Sequence, residues 1–312
     1  MEVSSLSITS RACPFSPATE SLLLKRIRRP SLHQCLVSIS LNKRTSQSLF
    51  SRQTGPTVFK ENSIKVLCSL RRDVPVVEAS SMGEIYDALA ERILPAAAAA
   101  SNPNLKHIVG LAGPPGAGKS TIASEVVRRV NKIWPQKASS FDSQVKPPDV
   151  AAVLPMDGFH LYRSQLDAME NPDEAHARRG APWTFSPTLL LECLKKLRNE
   201  GSVYAPSFDH GVGDPVEDDI FVSLQHKVII VEGNYLLLGE GAWKDISSMF
   251  DEKWYIDVDI DTAMERVLKR HISTGKPPDV AKWRIDYNDR PNAELIIKSR
   301  KNADLIIRSI NF

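Results

Sequence analysis

The chain has 312 residues, 42% of them hydrophobic and 25% charged, and a formal net charge of +3. Residues 1–72 carry 12 Lys/Arg against 3 Asp/Glu, while residues 73–312 carry 28 against 34, so a segment of net +9 precedes a body of net −6. The positive total therefore does not describe a polyanion-binding body, which argues against a nucleic-acid partner. No run approaches 18 consecutive apolar residues, which removes a membrane-spanning helix and with it a membrane partner. Of four cysteines only Cys193 lies in the body, which removes a disulfide-stapled scaffold.

Residues 1–72 contain 14 Ser, 5 Thr and no Asp, with scattered or paired Lys/Arg. A serine-rich, basic, acid-poor segment with no compact apolar stretch near its start has the composition of an unfolded organelle transit peptide, not of a secretory signal. High serine and weak early amphipathicity favour the chloroplast over the mitochondrion. An ordinary disordered tail or a basic arm is the alternative.

The body, 73–312, reads as alternating strands and helices. An extended Val74–Val77 is followed by a helix capped by Ser80–Ser81, running to about Ile93 and stopped by Pro95. Ala96–Ala100 adds a turn or a linker. Lys106–Leu111 is a β-branched strand, and Ser120–Ile133 shows helical spacing of Ile122, Val126, Val127 and Val130. Val150–Leu154 is a second buried strand, followed by a helix over about Arg163–Glu170. Ser186 caps a helix over Pro187–Asn199, with Gly201 past its end. Val203–Phe208 and Asp219–Val222 form a hairpin-like excursion. Lys227–Val231 is the most continuous apolar strand. Then come a strand at Trp254–Val258, a helix at Asp261–Ser273, helices near Val280–Asn288 and Ala293–Lys301, and a last strand at Asp304–Arg308. Strands separated by helices of this length imply a mostly parallel sheet with helices on both faces, a three-layer α/β/α fold.

Between the strand at 106–111 and the helix at 120–133 lies Gly113-Pro114-Pro115-Gly116-Ala117-Gly118-Lys119-Ser120, then Thr121, a full match to G-x-x-x-x-G-K-[ST]. Glycines in such a loop let successive N–H groups face phosphate oxygens, and the helix N-terminus adds its dipole. Lys119 is placed to reach the β- and γ-phosphates, and the Ser120 hydroxyl to ligate Mg²⁺. The loop alone does not choose between kinase, GTPase and motor; the Asn-Lys pairs, Asn42-Lys43 and Asn131-Lys132, are not followed by the Asp of a guanine-reading Asn-Lys-x-Asp loop, and ATP with Mg²⁺ is the cofactor set that the family resemblance described below implies.

Two acids fall at strand ends. Glu232 follows Lys227–Val231 and is either the acid that helps hold Mg²⁺ or a loop carboxylate capping a turn. Asp157, in Asp157-Gly158-Phe159-His160, is either a base for a substrate hydroxyl or an Asx-turn residue. In a parallel sheet both open on the crevice of the phosphate loop. The alternation Asp257, Asp259, Asp261 is not a calcium loop, because Thr262 and Leu268 stand where Gly and Glu are needed.

Four ordered motifs, Met156–His160, Arg179–Phe185, Phe208–His210 and Val231–Leu237, make the body resemble the phosphoribulokinase/uridine kinase family of P-loop kinases over about residues 82–311. Within it the pantothenate-kinase-like and sugar-kinase-like branch is the nearest in pattern. The resemblance implies an ATP-dependent kinase acting on a small-molecule hydroxyl, with Asp157 as base. It places Arg178, Arg179, Asp209 and His210 in substrate-side insertions, with His160 binding substrate or orienting Asp157. On physical grounds the arginine pair is either a fork for an anionic or polyhydroxyl acceptor or solvated surface. The resemblance also makes about 266–290 a lid whose arginine closes on the transferred phosphoryl group. Arg266 and Arg270, i and i+4, share a helix face, and Arg270 is the chosen catalytic candidate. Nucleoside kinases of the family read Asp-Ser-Phe-Tyr where this chain has Asp157-Gly158-Phe159-His160, which points away from uridine and cytidine. A regulatory protein that binds or hydrolyses nucleotide without an acceptor is the other functional class, and the Lys119/Ser120/Asp157/Glu232 set argues against it. Oligomeric state, including a homodimer, is left open.

Overall fold

The computed structural model describes residues 74–99, 102, 104–138, 148–209 and 211–309. The proposed transit segment and His210 lie outside them. Six strands form one parallel sheet in the order β1-β8-β7-β2-β6-β3. They are β1 (Val76–Val77), β2 (His107–Ala112), β3 (Ala151–Pro155), β6 (Val228–Gly233), β7 (Glu252–Asp257) and β8 (Leu305–Arg308); β4 (Val203–Asp209) and β5 (Asp214–Val222) make a separate antiparallel hairpin. Every residue of β6 is buried, as is β2 from Ile108 onward. Strands covered on both faces need such continuous apolar runs, and each fully buried Ile, Val or Leu contributes about 1.5–3 kcal/mol.

Alternation along the strands divides the core. Ile108, Leu154, Ile229, Val231 and Tyr255 face one side, where α5 (Pro187–Glu200), α6 (Gly241–Ser247) and the hairpin pack. Val109, Leu111, Ile230, Trp254 and Ile256 face the other, against α1 (Met82–Ala99) and α2 (Lys119–Ala138). This is the expected three-layer α/β/α arrangement. A third, smaller cluster joins Ala263, Met264, Val267, Ile285 and Ala293, giving the helices after β7 a core of their own. Among the described residues no helix is long and apolar enough to cross a membrane.

Several boundaries differ from expectation. The first helix runs through Pro95 to Ala99, because Leu94 and Ala97 are buried in the core and alanine loses almost no side-chain freedom in a helix. Likewise α2 continues through Pro135 instead of stopping at Ile133. The single helix expected over Arg163–Glu170 is two, α3 (Arg163–Asp167) and α4 (Pro172–Ala177), the second started by Asn171, whose side chain accepts from Glu174 N–H, and by Pro172 in its first turn. After α7 (Ile260–Ser273), the helix expected near Val280–Asn288 is α8 (Pro278–Arg284) followed by a π-helical segment, Ile285–Asp289, that runs straight into α9 (Arg290–Lys298). Widened turns of this kind cluster at functional sites. The α5 caps are as expected: Ser186 Oγ accepts from Leu189 N–H, and Gly201 adopts φ 73°.

Candidate active site

Strand register fixes which residues meet. Ala112 lies opposite Gly233, and Pro155 opposite Glu232, so the carboxyl ends of β2, β6 and β3 are level. The chain leaves β2 directly into Gly113–Ser120, leaves β6 at Glu232–Gly233, and leaves β3 into a 3-10 turn, Met156–Phe159, that carries Asp157. Three separate sequence motifs therefore open on one crevice, at the strand edge where parallel sheets bind ligands.

In the loop, Gly116 and Gly118 take φ 81° and 86°. A Cβ on Gly116 would stand 2.3 Å from the Ala263 carbonyl oxygen of α7, so the loop touches that helix at a point where only glycine fits. Arg266 Nη1 donates to Gly116 O at 3.3 Å. Lys119 Nζ donates to Gly113 O and Pro114 O, both at 3.1 Å, and is held within its own loop. Ser120 Oγ donates to Glu232 Oε1 at 2.9 Å, and Glu232 is buried with 7% exposure. Burial pushes the Lys119 ammonium down, and the charges of Glu232 and Asp157 oppose this while Arg270 adds to it. Burial pushes the Glu232 carboxyl up, against the pull of Lys119. Lys119, Glu232, Asp157 and Arg270 thus feel one another's charge. The hydroxyl of Ser120 and the oxygens of Glu232 are hard donors suited to the Mg²⁺ of a nucleotide.

Beside the phosphate loop, two further loops are zipped together. His160 and Phe185 form an antiparallel bridge, Leu161 N–H donates to Thr184 O at 2.9 Å, and Ser186 N–H donates to Phe159 O at 2.8 Å. His160 Nδ1 lies 2.8 Å from the Asp157 carbonyl, which as an acceptor selects the Nδ1–H tautomer, and its ring packs 3.9 Å from Phe185 and 4.6 Å from Phe208. A Cβ on Gly158 would lie 2.0 Å from the Pro206 carbonyl oxygen, so the hairpin rests directly on the Asp157 turn. The departure from Asp-Ser at this position is thereby a packing requirement. Tyr235, fully buried, donates to Gly180 O and ties the loop after β6 to the arginine-rich loop.

Between these loops and the helices that follow β7 lies a cleft of about 440 Å³ lined by, among others, Asp157, His160, Arg179 and Arg270. Of the substrate-side residues expected from sequence, His160 and Arg179 line it. Arg178 does not: its Nη1 donates to Tyr287 O at 2.8 Å and its guanidinium sits 5.6 Å over the Tyr287 ring. Asp209 is also turned to local work, its Oδ1 accepting from Gly211 N–H at 2.7 Å and Val212 N–H at 3.2 Å in the hairpin turn. Thr121 is an exposed residue of the first turn of α2. Cleft residues that sequence reasoning missed are Arg163, Asn234, Lys276, Arg284 and Asn292. Asn234 sits within a motif already singled out, whereas nothing local marks Arg163 or Arg284. The π-helical segment clamps the arginine loop: Asn288, 1% exposed, donates to Arg179 O at 3.0 Å and accepts from Asn292 at 3.0 Å.

Comparison with known proteins agrees with this geometry. A Schizosaccharomyces pombe protein carrying the provisional name uridine kinase is 36% identical over 251 residues, spanning 78% of this chain and 95% of its own length. A kinase of Silicibacter sp. TM1040, provisionally named for a fructose transport system, superposes with a TM-score of 0.59 at 28% identity, covering 73% of this chain and 99% of that one. Saccharomyces cerevisiae YFH7, described as a circularly permuted P-loop kinase, superposes with a TM-score of 0.61 at 22% identity, covering 72% and 99%, and supports the fold. The sequence profile of the phosphoribulokinase/uridine kinase family matches residues 108–311, which is most of the body and every element of the site. The chain belongs to the phosphoribulokinase/uridine kinase family of P-loop kinases.

Proposed function

We propose that the protein transfers the γ-phosphate of Mg·ATP to a hydroxyl of a small-molecule acceptor bound in the 440 Å³ cleft. The observation that carries this is the convergence of the phosphate loop, the Ser120–Glu232 pair and Asp157 on one strand edge beside that cleft. The loop N–H groups and Lys119 hold the nucleotide phosphates. Ser120 and Glu232 would hold the Mg²⁺ of the nucleotide, which would supply neutralisation of phosphate charge. Asp157 accepts the proton of the acceptor hydroxyl, and Arg270, whose charge reaches Lys119, neutralises the transferring group. His160, held through Nδ1–H on the Asp157 carbonyl, lines the cleft beside the base.

The test is ADP release from Mg·ATP by the full chain against sugars, pantothenate, glycerate and nucleosides, with Asp157→Asn in parallel. Acceptor-dependent release that falls by about 10²–10⁴-fold in the variant, with ATP affinity kept, is the expected result. Hydrolysis independent of any acceptor, and equal in the variant, would reject the reading and favour a nucleotide-binding regulator. We further assign residues 1–72 to organelle targeting, chloroplast before mitochondrion, on their serine-rich, acid-poor composition. A fluorescent fusion of residues 1–72 that stayed cytosolic would reject this.

A further inference from the structure

Part of the cleft wall is shared by two segments distant in sequence. Arg179 and Gly180 line it from one, and Arg284, Asp289 and Asn292 from the other. Two consecutive residues join the segments. Tyr287 donates its hydroxyl to Glu174, and its carbonyl accepts from Arg178 Nη1 at 2.8 Å. Asn288 Nδ2 donates to Arg179 O at 3.0 Å. Consecutive side chains of a regular α-helix point about 100° apart. These two lie in the π-helical segment, where Arg290 N–H reaches back five residues to Ile285 O and the turn is wider. Tyr235 takes the next carbonyl of the loop, Gly180 O.

Asn288 is the member whose chemistry is most constrained. It is 1% exposed, so both ends of its carboxamide need partners. Arg179 O can only accept, so the amide nitrogen must face it and the amide oxygen is turned away. That oxygen accepts from Asn292 Nδ2 at 3.0 Å. Asn292, itself 3% exposed in α9, lines the cleft with its carboxamide orientation set by this bond. Asn288 does not line the cleft, so it acts through these two partners. Aspartate at 288 could not donate to Arg179 O, and alanine could make neither bond.

We infer that Asn288 is a positioning residue for the acceptor, holding the two segments of the cleft wall in register through Arg179 O and Asn292 Nδ2. This rests on the kinase reading and adds to it a determinant of acceptor affinity that lies outside the cleft lining.

The experiment compares Asn288→Asp and Asn288→Ala with the native full chain, each saturated with Mg·ADP for hydrogen exchange and assayed with Mg·ATP for kinetics. Amides of Arg178, Gly180 and Ala181, bonded within the loop to Glu174 O, Thr184 Oγ1 and Arg178 O, should exchange about tenfold faster in both variants. Those of α2 should not change, and unchanged ADP affinity reports an intact fold. With the acceptor found by the screen above, its KM should rise about tenfold in both variants while the ATP KM stays put. A protonated carboxyl can donate to Arg179 O and accept from Asn292, and burial favours that form. The Asn288→Asp defect should therefore shrink as pH falls from about 8 to about 5.5, whereas the Asn288→Ala defect should not. Taking each rate relative to the native chain at the same pH cancels the titration of neighbouring Glu174, Arg178, Arg179, Arg284, Tyr287 and Asp289. Native exchange at Arg178–Ala181 in both variants would overturn the inference, as would acceptor and ATP KM rising together, or equal pH profiles for the two variants. The kinase reading fails by a different result, acceptor-independent hydrolysis by the native chain, and the exchange measurement then decides the clamp alone.

Discussion

Gly158→Ala tests whether the hairpin fixes the Asp157 turn. A Cβ at 158 would stand 2.0 Å from Pro206 O, 2.6 Å from Pro206 C and 3.3 Å from Ser207 N, all backbone atoms that no rotamer change can move. Ordinary carbon–oxygen contacts are about 3.3–3.6 Å, so hairpin and turn must separate by roughly 1.3–1.6 Å at this point. The β4–β5 register shifts between Ala205 and Ser207, and it is this bulge that aims the Pro206 carbonyl at the turn. Overpacking of this kind costs about 1–3 kcal/mol, and loss of a glycine returns about 0.4–1 kcal/mol through the unfolded chain. The net is a destabilisation of about 1–2 kcal/mol, too small to unfold an ordinary domain. Urea denaturation should therefore show a lower midpoint at constant slope. A displacement near 1 Å at Asp157 should lower acceptor kcat/KM by about 10²-fold, while ATP affinity, set by Gly113–Ser120, stays put. Unchanged midpoint and unchanged kcat/KM would refute the reasoning, because both follow from one contact.

Three further outcomes are expected. Gly116→Ala should abolish measurable ATP binding and destabilise by roughly 2–4 kcal/mol, adding the clash with Ala263 O to a positive φ, whereas Gly118→Ala, with positive φ and open space around it, should cost only about 1–2 kcal/mol; equal losses in a denaturation pair would reject the contact between the loop and α7. The Glu252 carboxyl is pushed up by burial but held down, at about 2, by the His107 ring 3.6 Å away, Trp254 Nε1–H and Arg92. Its folded value lies below its ordinary one, so its stabilisation is present above about pH 4.5 and is lost as pH falls toward 2. Glu252→Gln should cost about 1–2 kcal/mol at pH 7 after solvent screening and flatten that acid limb, and an unaltered limb would contradict the assignment. Burial, with Lys227 nearby, pushes Lys106 down to about 8, while its Nζ donates to Ser223 O and Leu224 O. Between about pH 8 and 10.5 the unfolded chain holds the extra proton, so stability should rise with pH there, and Lys106→Met should remove the rise in pH-dependent melting.

The sequence by itself determined the layered fold and the phosphoryl end of the site. Continuous apolar strands such as Val228–Val231, alternating with helices, read as a parallel sheet covered on both faces, and Gly116, Gly118, Lys119 and Ser120 mark the phosphate cradle within one strand–loop–helix. Glu232 and Asp157 were legible because they end strands whose direction the pattern implies. Local rules failed where distant packing outweighed them: α1 continues past Pro95 because the core holds Ala97, and the last helices join through a π-helical segment. The acceptor end was decided by tertiary structure alone. Arg178 and Arg179 are neighbours in sequence, yet the first lies over Tyr287 and donates to its carbonyl while the second lines the cleft, its backbone held by Asn288 and its guanidinium by Asp214. Arg163, Arg179 and Arg284 come from three separate segments and have no common sequence signature. Only folding brings their charges to one cleft.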